Sequence, residues 1–159
     1  MKRQDAIQLT VTMMAILLGT VLLPASAFAQ NTGVVGAGAA SLPANTLLSG
    51  VPLSGLFFGM GVVVPGDTTA DGQFQARLLG TNILGQPQNI EVQGDATSGT
   101  LGTDTRTFSG TATVDMGDGT APLSNVPFTV TASATSLLLT LGATNLPAAT
   151  VTAGNIAIK

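Results

Sequence analysis

From Pro65 onward, apolar and polar positions alternate with a period of two, and Gly, Pro, Asn and Asp break the alternation about every ten residues. That period belongs to β-strands, whose successive side chains face opposite ways. The clearest stretch is Thr107 to Met116. There Phe108, Gly110, Ala112, Val114 and Met116 share one face, and Thr107, Ser109, Thr111, Thr113 and Asp115 share the other. Val126 to Ala132 is its natural partner, with Val126, Phe128, Val130 and Ala132 inward and Thr129 and Thr131 outward. The intervening Gly117-Asp118-Gly119 and Pro122 predict a hairpin with a medium-length loop. The same logic predicts strands at Gln73 to Leu79, Asn89 to Gln93, Ser136 to Leu141 and Val151 to Ile158. Short strands at this spacing point to an all-β sandwich or barrel. The expectation is a single antiparallel β-sandwich, immunoglobulin-like or jelly-roll-like.

The N-terminal part follows a different pattern. Lys2 and Arg3 precede an apolar stretch of 13 residues, Val11 to Leu23, which ends at Pro24. Two small-x-small sites follow, Ala25-Ser26-Ala27 and Ala27-Phe28-Ala29. Positive start, short apolar stretch and small-residue site, in that order, predict a signal peptide over 1–29, bacterial in style and cleaved before Gln30. A single Arg in the positive region points to the general secretory route, with a periplasmic, cell-surface or extracellular destination. Residues 30–46, small and uncharged, read as a flexible lead-in. Residues 47–159 read as the sandwich domain. Within it, Leu47 to Val64 is an uncharged run of 18 residues, but Pro52, the Gly and Ser interruptions and Val62-Val63-Val64 predict two buried strands joined by a turn rather than a membrane span.

Composition narrows the range of functions. Charged residues make up 8% of the chain against an ordinary value of roughly 25%, while 45% are apolar. That balance is the reverse of a disordered chain. After residue 29, Arg77, Arg106 and Lys159 stand against Asp67, Asp71, Glu91, Asp95, Asp104, Asp115 and Asp118, a net charge of −4. Nucleic acid binding needs clustered cations and stacking aromatics, so nucleic acid is not an expected partner. A transmembrane barrel is disfavoured as well, because six Phe without Tyr or Trp cannot build aromatic girdles. The five Phe beyond the signal, Phe57, Phe58, Phe74, Phe108 and Phe128, are expected in the core.

The chain has no His, Cys, Tyr or Trp, which removes the usual bases and nucleophiles along with thiolate and imidazole metal sites. Carboxylate chemistry remains, through a pairing among Asp67, Asp71, Asp104, Asp115 and Asp118. Neither Asp67-Thr68-Thr69 nor Asp104-Thr105-Arg106 carries the glycine of an aspartic-protease loop. Calcium is the one cofactor the acidic loops suggest, with Asp115 and Asp118 in one and Asp67 and Asp71 in the other as candidate ligands. Neither loop has EF-hand spacing, and Asp and Gly are common turn formers in their own right. Thr111, Thr113, Thr129 and Thr131 would form a hydroxyl stripe able to dock a partner or glycan, although Thr is also an ordinary exposed strand residue.

The resulting expectation is an exported, non-catalytic structural or interaction module of the cell envelope or extracellular space, whose partner is itself, an envelope protein or a glycan. A periplasmic ligand- or calcium-binding module and a carboxylate-dependent hydrolase are the alternatives.

Overall fold

The structure, a computed structural model, describes residues 32–66 and 68–159. The expected signal peptide and Asp67 lie outside them. The strands are β1 (Gly33–Leu48), β2 (Val51–Val63), β3 (Asp71–Gly80), β4 (Ile90–Leu101), β5 (Thr105–Asp115), β6 (Leu123–Ser133), β7 (Ser136–Leu141), β8 (Thr144–Asn145) and β9 (Ala149–Ile158). Each pairs antiparallel with its sequence neighbour from β1 to β7. The short β8 and the long β9 both pair along the same side of β7, and β9 then pairs with β1. The wall therefore closes on itself with eight strand positions.

This is a closed up-and-down barrel and not the expected sandwich. Period-two alternation identifies an inner and an outer face in either architecture, so it does not distinguish them. Large inward side chains stand opposite glycine along the ladders. Each of the four inward Phe faces a glycine across a ladder: Phe58 with Gly38, Phe74 with Gly94, Phe108 with Gly99 and Phe128 with Gly110. An eight-stranded barrel has room for side chains inside only when large and small alternate. At Gly94 the fit is close, since a Cβ there would stand 2.6 Å from the Phe128 ring.

The interior is filled. Phe74, Phe108 and Phe128 meet with ring centroids 5.9 to 6.2 Å apart, Phe74 and Phe128 stacked and Phe108 edge-on to both. Val34, Leu56, Met60, Val62, Leu78, Ile90, Val92, Val130, Leu137 and Leu139 pack around them, all buried. Phe57 departs from the core expectation and is 52% exposed. Adjacent strand residues point to opposite faces, so a Phe57-Phe58 doublet cannot bury both rings in one interior.

The expected lead-in also proves structural. Residues 33–46 form most of β1, a wall strand paired with β2 on one side and β9 on the other. Ser49 and Gly50, both at positive φ, make the tight turn into β2, as two-residue hairpins prefer. At the opposite end of the barrel Arg106 turns inward and is buried. Its Nη1 donates to the carbonyls of Gly102 and Thr105 at 2.7 and 2.9 Å, and its Nη2 donates to the Lys159 main-chain oxygen at 2.6 Å. A buried guanidinium is tolerated because these acceptors replace water. Its contacts tie the β4–β5 turn to the end of β9.

Phe108→Ala should lower stability by about 3–5 kcal/mol through the lost packing and the cavity left behind, and Phe57→Ala by less than about 1 kcal/mol. Urea unfolding followed by far-ultraviolet circular dichroism measures both in a chain without Trp or Tyr. Equal losses would contradict the assignment of the two rings to opposite faces.

Candidate functional site on the outer wall

With the interior packed, the side chains capable of chemistry or recognition lie on the outer wall and in the end loops. The candidate aspartates divide between the two ends. β3 and β5 run in the same direction, so Asp71, which opens β3, and Asp115, which closes β5, stand at opposite ends of the barrel. Asp104, in the β4–β5 turn, belongs to the Asp71 end, and Asp118, in the β5–β6 loop, to the Asp115 end. A carboxylate pair between the two ends, such as Asp71 with Asp115, is therefore not assembled. Among the described residues, no group of three or more His, Cys, Asp or Glu lies close enough to hold a metal ion.

The Asp115 and Asp118 carboxylates are engaged with their own loop. Asp115 Oδ1 accepts from the Gly117 amide at 2.9 Å, and Asp118 Oδ1 accepts from the Thr120 hydroxyl at 2.6 Å and its amide at 2.9 Å. These are turn-forming bonds. The Thr120 hydroxyl, and after it the Thr120 amide, hold the Asp118 carboxyl below the ordinary aspartate range. On the outer wall the register sets Thr131 opposite Thr107 and Thr129 opposite Ser109, with Thr111 opposite Pro127, so the four expected threonines do not pair with one another; Thr107 and Thr131 bond at 2.9 Å, and Ser98 and Ser109 do so across β4–β5 at 2.7 Å.

A hollow of the outer wall lies on β2, β3 and β4. The register places Phe57, Arg77 and Glu91 in one row and Gly59, Gln75 and Gln93 in the next. Gly59 contributes no side chain, and the missing volume leaves a groove of about 350 Å³ bounded by Phe57, Gln75, Arg77, Glu91 and Gln93. A second depression, lined in part by the same two glutamines, continues it toward Asp95. Arg77 Nη2 and Nε reach Glu91 Oε1 at 2.6 and 3.1 Å, so the row carries no unpaired charge. The groove offers an aromatic edge, two amides and a neutralised ion pair.

A second outer feature was not anticipated from the sequence. In the β3–β4 loop, Ile83 is 98% exposed and Leu84 is 78% exposed. They crown a turn held by its own bonds. Asn82 Oδ1 accepts from the Leu84 and Gln86 amides, the Gly85 amide donates to the Asn82 carbonyl, and the Asn82 amide donates to the Gln86 carbonyl, all at 2.8 or 2.9 Å. Asn82 and Gly85 flanking two aliphatic residues between strand patterns were the available signal. Comparison of the chain with protein-family models, curated proteins and solved structures found no match.

Thr120→Ala should return the Asp118 carboxyl toward the ordinary aspartate range, as followed by carboxyl-carbon NMR titration. Because the folded value is depressed, the bond's contribution is fully present above the unfolded pKa and is lost as pH falls through the folded one. A wild-type Asp118 titrating normally would contradict the loop geometry.

Proposed function

We propose that this chain is an exported, non-catalytic interaction module of the cell envelope or extracellular space, working by contact through the outside of its barrel. The observation that carries the reading is where the apolar groups lie. The interior is filled by Phe74, Phe108, Phe128 and their neighbours, while Phe57, Ile83 and Leu84 stand on the outside. Exposed aliphatic side chains on an ordered turn contribute little to folding, whereas contact with a partner would bury them. Export is supported by the order of Lys2, Arg3, Val11 to Leu23 and Ala27-Phe28-Ala29, and the absence of cysteine fits a domain held by packing alone.

The wall supports a water-facing rather than lipid-facing barrel. At mid-height it carries Gln73, Gln75, Arg77, Glu91, Gln93, Asp95, Thr111 and Thr113 outward, where a transmembrane barrel presents an apolar band. No helix long and apolar enough to cross a membrane occurs among the described residues.

Fractionation of the native host with intact-mass measurement tests the reading. The expected outcome is a mass corresponding to Gln30 to Lys159 in the envelope, periplasmic or extracellular fraction. A full-length chain confined to the cytoplasm would overturn it.

A further inference from the structure

We infer that the edge of β9 facing away from β1 is a strand-addition site, which takes an extended, uncharged or basic segment of another polypeptide. The inference rests on the reading that the barrel works by contact, and it names the partner's chemistry. Along β1, β9 is paired from Thr150 to Ile158. Gly33 and Lys159 exchange both backbone bonds, at 3.0 and 2.9 Å. Hydrogen-bonded pairs alternate along an antiparallel ladder, so Ala157 bonds Val35 and Asn155 bonds Ala37. The N–H and C=O groups of Ile158 and Ile156 therefore point away from β1.

On that side few bonds hold the wall. β7 meets β9 at Ala149 and Thr150. Just beyond, the Val151 amide donates to the Thr135 carbonyl at 2.9 Å, and the next tie is Arg106 Nη2 on the Lys159 main-chain oxygen. Roughly 25 Å of strand separates the two ties. Among the described residues, nothing bonds the main chain of Ile156 or Ile158 along that stretch, and Thr152 to Asn155 are exposed. Open sheet edges are ordinarily guarded by charge, proline or a cover. From Ala149 to Ile158 there is no charge and no proline. Thr152 has no partner on β1, and Gly154 stands at positive φ, so the strand bends there and the straight part of the edge runs from Asn155 to Ile158.

The occupant follows from the chemistry of the edge. Amide donors and carbonyl acceptors at the strand repeat are matched by one kind of partner, the backbone of another extended chain. A sugar's hydroxyls and a lipid surface have no such repeat. An added strand turns alternate side chains to opposite faces. One set would join Ile156, which is buried, and Ile158, which packs against the core, and the other would join Asn155 and Ala157. The partner segment is therefore aliphatic and polar by turns. It is a lone segment, because the ties at Thr135 and Arg106 close both ends of the gap against the neighbouring strands of a second barrel. It is uncharged or basic, because the chain carries a net charge of −3 and repels acidic partners, its own copies included.

The test follows amide hydrogen exchange by NMR on the chain as recovered from its host, alone and with synthetic peptides. Alone, the Ile156 and Ile158 amides should exchange fast and those of Asn155 and Ala157 slowly. The probes are short capped peptides alternating Val with Thr, Ile with Ser or Leu with Gln, with Lys at each end. At least one should bind with a Kd on the order of 10⁻⁴ M and slow the Ile156 and Ile158 amides by about tenfold or more. The same peptide N-methylated at every residue should not bind, and its version with Glu at each end should bind more weakly. Ile158→Pro removes a donor from the free edge and none from the β1 ladder, and it should weaken binding by roughly fivefold or more. Its urea midpoint verifies folding, and the N-methylated peptide makes the same test on the unaltered chain. Slow exchange at Ile156 and Ile158 in the free monomer would overturn the inference, as would a panel with no binder or an N-methylated peptide that binds equally. Protection of the same two amides on concentrating the chain alone would overturn it too, by making a second copy the occupant. An exported, cleaved chain that binds no peptide sinks this inference alone, while a cytoplasmic full-length chain sinks the reading beneath it.

Discussion

The narrow bore of an eight-position barrel governs this molecule. The wall can close only if large inward side chains are met by small ones, and the four ladder pairs Phe58–Gly38, Phe74–Gly94, Phe108–Gly99 and Phe128–Gly110 meet that demand. At Gly94 the missing Cβ leaves room for the Phe128 ring, whereas a Cβ at Gly38 or Gly110 would strike the backbone of a neighbouring strand. Phe57 is left outside because a strand that turns one ring of a doublet inward must turn the other outward.

The outer surface is sparing with charge. Arg77 is neutralised by Glu91 across a ladder, and Arg106 is withdrawn into the barrel's end. Lys159 takes part through its main chain, whose oxygen accepts from Arg106 Nη2 and which exchanges backbone bonds with Gly33. The outer wall also carries a hollow at Gly59, which lacks a side chain, and a turn that raises two aliphatic side chains.

Much of the strand pattern could be read from the chain. The β5–β6 hairpin has the expected faces, with Phe108 opposite Val130 and Gly110 opposite Phe128, and β7 spans the predicted Ser136 to Leu141. Closure was not legible, because alternation reports which face is inner but not whether the first strand meets the last. β1 was missed for a local reason. Its run of Gly and Ala has little strand propensity, and only its neighbours β2 and β9 make it a strand. The candidate aspartates were recognisable as turn formers, and their division between two ends needed the strand directions. Phe57 and Ile83 escaped notice because periodicity marks apolar residues as inner by default.

The pairing of β1 with β9 also has a kinetic side. A chain made from its N-terminus completes β1 early, while β9, the strand that covers its other edge, is made more than a hundred residues later. No other element can take that place, so this contact of long sequence separation comes late in folding. For all that time β1 presents an unpaired edge, the kind of surface that recruits other chains. The low strand propensity of Gly33 to Ser41 that hides β1 from a reader of the sequence also makes it a poor template for foreign strands while it waits. A β-branched run there would announce the strand clearly and would hold an adhesive edge open until β9 was made.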